Sequence, residues 1–129
     1  MGDRFFTRGP YRRRLYAPRM PPALLDCVPL LDAVDQLAGR YRSLPQSRLR
    51  RAAAVGLALA RELSAEAQRL EHPDAPVRQM PDDGMFVIAE QIAVSGHDLA
   101  AALAAHPDRQ GQDVLDRALR RVAETAAEL

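Results

Sequence analysis

Arg48, Arg50 and Arg51 follow closely on Ser47, a residue type that opens helices, and Arg40 and Arg42 stand just upstream. A guanidinium offers a rigid fork of donors that suits phosphates and carboxylates. If a helix begins at Ser47, three of these charges sit in its first turn, at the positive end of the helix dipole. Each then costs about 0.3–1 kcal/mol. Charge placed against a dipole calls for a compensating anion, on a partner or on acids elsewhere in the chain. A second cluster, Arg12, Arg13 and Arg14, lies in a segment that also holds Phe5, Phe6, Tyr11 and Tyr16. Arginine for phosphate and aromatics for stacking is the composition of a nucleic-acid-binding arm.

The other chemistry-bearing residues are scattered. His97 follows Glu90 by two helical turns, so the two share a helix face and form the one pair that could hold a metal or pass a proton. The Glu-x-x-His spacing of di-iron bundles is absent, and surface pairing is the expectation for both. His106 is expected to contact a helix-terminal carbonyl, and His72 to suit the end of a helix. Cys27 is expected as a buried structural thiol. With one cysteine there is no internal disulfide and no cysteine-rich zinc site. No serine–histidine–aspartate arrangement or glycine-rich phosphate loop follows from local spacing, so no enzyme activity, cofactor or metal is expected.

The elements that must position these residues are helices. Alanine and leucine dominate, tryptophan is missing and β-branched residues are few. Residues 1–22, with Pro10, Pro18, Pro21 and Pro22, read as an extended basic arm. A single helical domain follows over residues 23–129. The first helix is expected from Ala23 to Arg42, with Pro29 either kinking it or marking its true start. The short Ser43–Gln46 connection favours an antiparallel hairpin. The second runs from an N-cap at Ser47 to Glu71, where Gly56 among alanines admits a close neighbour. The third runs from Asp83, capped by Asp82 or Asp83, to His106. The fourth begins at Asp108 or Gln112, with Asp113–Arg117 and Asp116–Arg120 as pairs four apart. The fold class is therefore all-α: a four-helix bundle, up-down-up-down, carrying an N-terminal arm rich in arginine and aromatics.

The third helix is apolar nearly all round, with Phe86, Ala93, Val94 and Ala101 opposite its main stripe. A helix of that kind is buried on more than one side. One small bundle does not easily cover both faces, so these four residues are candidates for self-association into a homodimer.

Charge reinforces the picture of a docking protein. All 18 basic residues are arginine, and 11 of them precede Ala52 against four acids, a formal +7. From Ala52 onward seven arginines face 13 acids, a formal −6. The absence of lysine fits a GC-rich genome, so the position of the arginines is informative and their type is not. A split of this kind points to an acidic partner surface, or to one half of the chain docking on the other. Leader and membrane patterns fail on inspection, and a cytoplasmic protein without a membrane partner is the expectation. The favoured function is a non-enzymatic interaction or regulatory protein that docks an acidic partner through Arg12–Arg14, Arg40, Arg42, Arg48, Arg50 and Arg51. The alternatives are a nucleic-acid-binding regulator and, last, a ligand- or metal-binding bundle around Glu90 and His97.

Overall fold

The computed structural model describes residues 25–129, and within them the chain is all-α. Helix α1 spans Val28–Ser43, α2 Gln46–Glu71, α3 Ile88–Ala104 and α4 Arg109–Ala127, with a 3-10 turn at Met85–Val87. The basic arm, including Arg12, Arg13 and Arg14, lies outside the described residues.

Local chemistry sets the helix ends, and several differ from expectation. Pro29 marks the start of α1 rather than a kink, since a proline ring suits the first turn, where no N–H partner is needed. Asp26 Oδ1 accepts from the Val28 N–H at 3.1 Å. Cys27 thus occupies the N-cap and is half-buried, not central to the apolar stripe. Burial and the neighbouring Asp26 push its thiol pKa up, which disfavours the reactive thiolate.

Helix α2 begins one residue before Ser47, behind Pro45, whose carbonyl accepts from the N–H groups of Arg48 and Leu49. Asp82 caps no helix: it accepts from Gly84, whose φ of 95° turns the chain into the 3-10 turn. Asp108 does cap α4, accepting from the Gly111 N–H at 2.8 Å.

The core lies between the four helices. Leu30, Val34, Leu37 and Tyr41 from α1 meet Leu59 and Leu63 from α2, Ile88, Ile92, Leu99 and Leu103 from α3, and Val122 from α4. Two glycines let helices approach closely. A Cβ on Gly56 would stand 2.6 Å from Ile88 Cγ2 and 2.8 Å from Tyr41 Cζ. One on Gly96 would stand 2.5 and 2.6 Å from the two methyls of Val34.

Helix directions follow from paired residues. Asp35 meets His97 and Arg42 meets Glu90, so α1 and α3 run antiparallel. Leu25 lies against Gly111 and Arg40 reaches the Ala126 carbonyl, so α1 and α4 run parallel. Glu62 takes Arg121 and Glu66 takes Arg117, so α2 and α4 run antiparallel. It follows that α2 and α3 point the same way. The order is up-down-down-up, which corrects the up-down-up-down expectation.

The physical reason is the connection between α2 and α3, which is not a short turn. Residues 72–84 run back along α2, where Gln68 holds both main-chain groups of Arg78 and Arg61 holds the Met80 carbonyl. The helices joined by the short connection do run antiparallel, but the heaviest packing lies elsewhere. Helix α3 packs on α2 and α1, and α4 packs on α1 and α2, while α1 meets α2 mainly at Tyr41, which lies against Gly56 and donates to the Ala52 carbonyl.

Candidate functional site

The direction of the helices decides what gathers at each end of the bundle. The end of α1, the start of α2, the start of α3 and the end of α4 meet at one end. Arg40, Arg42, Arg48, Arg50 and Arg51 are all there, and all are exposed.

The structure divides them by use. The Arg42 guanidinium donates to Glu90 Oε1 at 2.6 and 3.2 Å. Arg40 Nη1 donates to the carbonyl of Ala126 at 3.1 Å, and Arg48 Nη2 to that of Leu129 at 3.2 Å. Both positive charges therefore sit on the negative, carbonyl-rich end of α4, where a cation is favourable. The misplaced charge of Arg48 on the α2 dipole is offset by its proper placement on the α4 dipole. Arg50 and Arg51 have no such acceptor among the described residues, and the first turn of α2 holds no acid and no side-chain cap. A cleft of about 260 Å³ beside them is lined by Leu44, Arg48, Arg51, Ala52, Val55, Glu128 and Leu129.

The second candidate surface is the outer side of α3. Phe86 is 73% exposed and Val94 55% exposed. Ala101 and Ala104 are exposed beside them, and Ala93 is half-buried. A shallow depression lined by Ala93, Val94, His97 and Asp98 lies at the centre. Ala100, which sequence periodicity groups with this face, is buried between α3 and its neighbours. With the preceding turn, Met85–Ala104 is long and apolar enough to cross a membrane by length and composition alone. Half of its most apolar window is buried in the bundle.

Glu90 and His97 are not brought together on a shared ligand. Glu90 pairs with Arg42, and His97 Nε2 lies 2.9 Å from Asp35 Oδ1. No group of three metal-ligating side chains occurs among the described residues. His106 Nδ1 contacts the Ala102 carbonyl at 2.8 Å, at the end of α3.

Arg117 and Arg121 take unexpected partners. The spacing of α4 predicts Asp113 for Arg117, yet Arg117 reaches across to Glu66 on α2. Asp116 instead accepts from Gln112. Arg121 bridges Glu124 on its own helix and Glu62 on α2. The hydrogen bond to Glu66 raises the Arg117 pKa, and those to Glu124 and Glu62 raise that of Arg121. These pairs use a side of α4 that sequence alone marks only as charged.

The clamp on residues 72–84 is a further feature that spacing does not reveal. Gln68 Nε2 donates to the Arg78 carbonyl at 2.9 Å while its Oε1 accepts from the Arg78 N–H at 2.8 Å. Gln91 Nε2 donates to the Pro81 carbonyl at 3.0 Å. A cleft of about 610 Å³ runs between this segment and α2.

The class these features define is a four-helix bundle with a basic end and one partly apolar outer face. No family model, no curated protein and no solved structure matches the chain.

Proposed function

We propose that this chain is a non-enzymatic interaction protein that self-associates through the outer face of α3. The observation that carries this reading is the exposure of Val94 on a helix whose opposite side is the core, and of Phe86 on the 3-10 turn that precedes it. Glu90 and His97 lie on the same side, where Arg42 and Asp35 of α1 pair with them, and His97 and Asp98 share the central depression with Ala93 and Val94, so the face is mixed rather than purely apolar.

Full burial of a side chain such as valine or phenylalanine contributes about 1.5–3 kcal/mol. The face is narrow, one helix wide, against the roughly 800 Å² per partner of a standard interface. The expected association is therefore weak and reversible. Sedimentation of the full chain is expected to show dimer growing over tens of micromolar, as mass action requires of a weak homodimer. Val94→Glu places a carboxylate at the centre of the face and is expected to abolish the dimer with helicity unchanged. A monomer throughout that range would overturn the proposal.

A second reading is favoured by Arg50 and Arg51, the charges at the basic end with no acceptor among the described residues. They suit an acidic protein surface. Nucleic acid is the alternative partner, and it adds the arm that lies outside those residues. With α2 starting at Gln46, Arg50 and Arg51 are its fifth and sixth residues, beyond the first turn in which the dipole acts, so the expected first-turn penalty falls on Arg48 alone. Arg50→Ala with Arg51→Ala is therefore expected to leave the melting temperature unchanged or slightly raised while lowering retention on immobilised polyglutamate. Arg40→Ala with Arg48→Ala is expected to lower the melting temperature. If the first pair melts lower than the parent chain, those arginines are structural and this reading fails.

A further inference from the structure

We propose that this chain can exchange halves with a second copy of itself, so that α1–α2 of one molecule seats α3–α4 of another. The inference goes beyond the α3-face association above and does not use that face.

The first observation is how the interfaces are distributed. Every substantial helix–helix interface among the described residues joins residues 28–71 to residues 85–129: α1 with α3, α1 with α4, α2 with α3 and α2 with α4. The long-range polar contacts between helices follow the same division. Arg42 with Glu90, Asp35 with His97, Glu66 with Arg117, Glu62 with Arg121, and Arg40 and Arg48 with the end of α4 all cross it. Among the described residues Tyr41, against Gly56 and Ala52, packs within the first half, but most of the core forms across the division. Each half is completed by the other, and nothing in those contacts distinguishes a half supplied in cis from one supplied by another chain.

The second observation is the tether. Residues 72–84 carry Pro73, Pro76 and Pro81, form no helix after the turn at His72–Ala75, and are exposed except at Met80. They are held by side chains alone: Gln68, Arg61 and Gln91 each take main-chain groups of the segment. Gln91 Oε1 is buried and accepts no hydrogen bond among the described residues. Straightening the tether therefore gives up the clamping hydrogen bonds and the packing of Met80 against the core, and leaves the contacts between the helices in place. Exchange of this type is a low-cost route to dimers, and hinge loops control it.

The third is length. The tether returns from His72 to the level of Ala52, a span of about 30 Å at 1.5 Å per helical residue. From His72 to Met85 an extended chain reaches about 45 Å. The closed monomer is thus comfortable, and it dominates in dilute protein. Removing Asp74–Arg78 cuts that reach to about 27 Å, too short to close in cis. In trans the same tether needs only to join two neighbouring bundles.

The test uses the Val94→Glu background, in which association through the α3 face is disabled, so the two proposals fail separately. Full-length protein refolded from denaturant at about 500 µM is expected to yield a dimer that persists on dilution to about 1 µM, because release requires opening the core. The chain lacking Asp74–Arg78 is expected to be a helical dimer at both concentrations. Two single variants, Glu62→Cys and Arg121→Cys, each also Cys27→Ser, are then refolded together and treated with a short bismaleimide. A covalent heterodimer is expected, since position 62 of one chain would face position 121 of the other. Only monomer at high concentration, with no cross-link from the co-refolded pair, overturns the proposal whatever the shortened chain does. A dimeric shortened chain whose co-refolded cysteine pair gives no cross-link overturns it equally.

Discussion

Gly96→Ala is expected to destabilise the protein by about 1–3 kcal/mol, the usual cost of overpacking a filled core. The sign is opposite to local expectation, because alanine is a better helix former than glycine by roughly 1 kcal/mol. Packing reverses it. The new Cβ would stand 2.5 and 2.6 Å from the methyls of Val34 and 3.0 Å from its Cβ. A β-branched side chain on a helix has essentially one rotamer, so Val34 cannot swing aside and α1 and α3 must part. For a domain of this size about 1 kcal/mol moves the melting temperature by roughly 4 °C. Val34→Ala alone leaves a void, but combined with Gly96→Ala it supplies the missing room. A double-mutant cycle measured by urea unfolding is therefore expected to give a favourable coupling between the two sites. Simple additivity would show that the close approach of α1 and α3 does not set the cost.

Tyr41 gives the second large effect, this time in pH. Its ring is 1% exposed in the core, and its hydroxyl donates to the Ala52 carbonyl at 2.9 Å. Burial, with Glu128 nearby, pushes its pKa from the ordinary 10.0 to about 12. The unfolded chain then releases the phenolic proton first as pH rises. Stability from this residue is complete below pH 10 and is lost as pH climbs toward 12. Holding one proton across a tenfold change in its concentration is worth about 1.4 kcal/mol, so the loss over this window amounts to roughly 2–3 kcal/mol. Urea melts of the parent chain are expected to show a falling alkaline limb across that window. Tyr41→Phe is expected to flatten it, while lowering stability at neutral pH by about 0.5–1.5 kcal/mol for the lost hydrogen bond. An alkaline limb equally steep in both proteins would assign it to other groups.

The candidate surfaces were legible to different degrees. Val94 and Ala101 fall on one exposed side of α3, as a helical period of 3.6 residues predicts, while Phe86 is exposed on the 3-10 turn that precedes it. Ala93 and Ala100 lie at the margin of that side, where burial depends on how closely α1 and α2 approach. The five arginines collect at one end of the bundle because α1 and α2 are joined there by Leu44 and Pro45. Their partners were not legible. Arg48 finds the Leu129 carbonyl 81 positions away, and Arg42 finds Glu90 48 away. Such pairs arise from which helices are neighbours, and no spacing rule records that.

The same division holds for the whole molecule. Composition, apolar periodicity and the stops at Pro45, His72–Pro73 and Pro107 determined an all-α bundle of four helices, since helix formation and termination depend on nearby residues. Chain order did not determine how the helices pair. The connection from His72 to Gly84 reads from sequence as a loop of ordinary turn residues. In the folded protein Gln68, Arg61 and Gln91 hold it back along α2, with Met80 against the core, and α3 runs the same way as α2. That arrangement places each half of the chain against the other. The physical reason is that helix direction and neighbourhood are set by core packing and tether length, which belong to the tertiary structure.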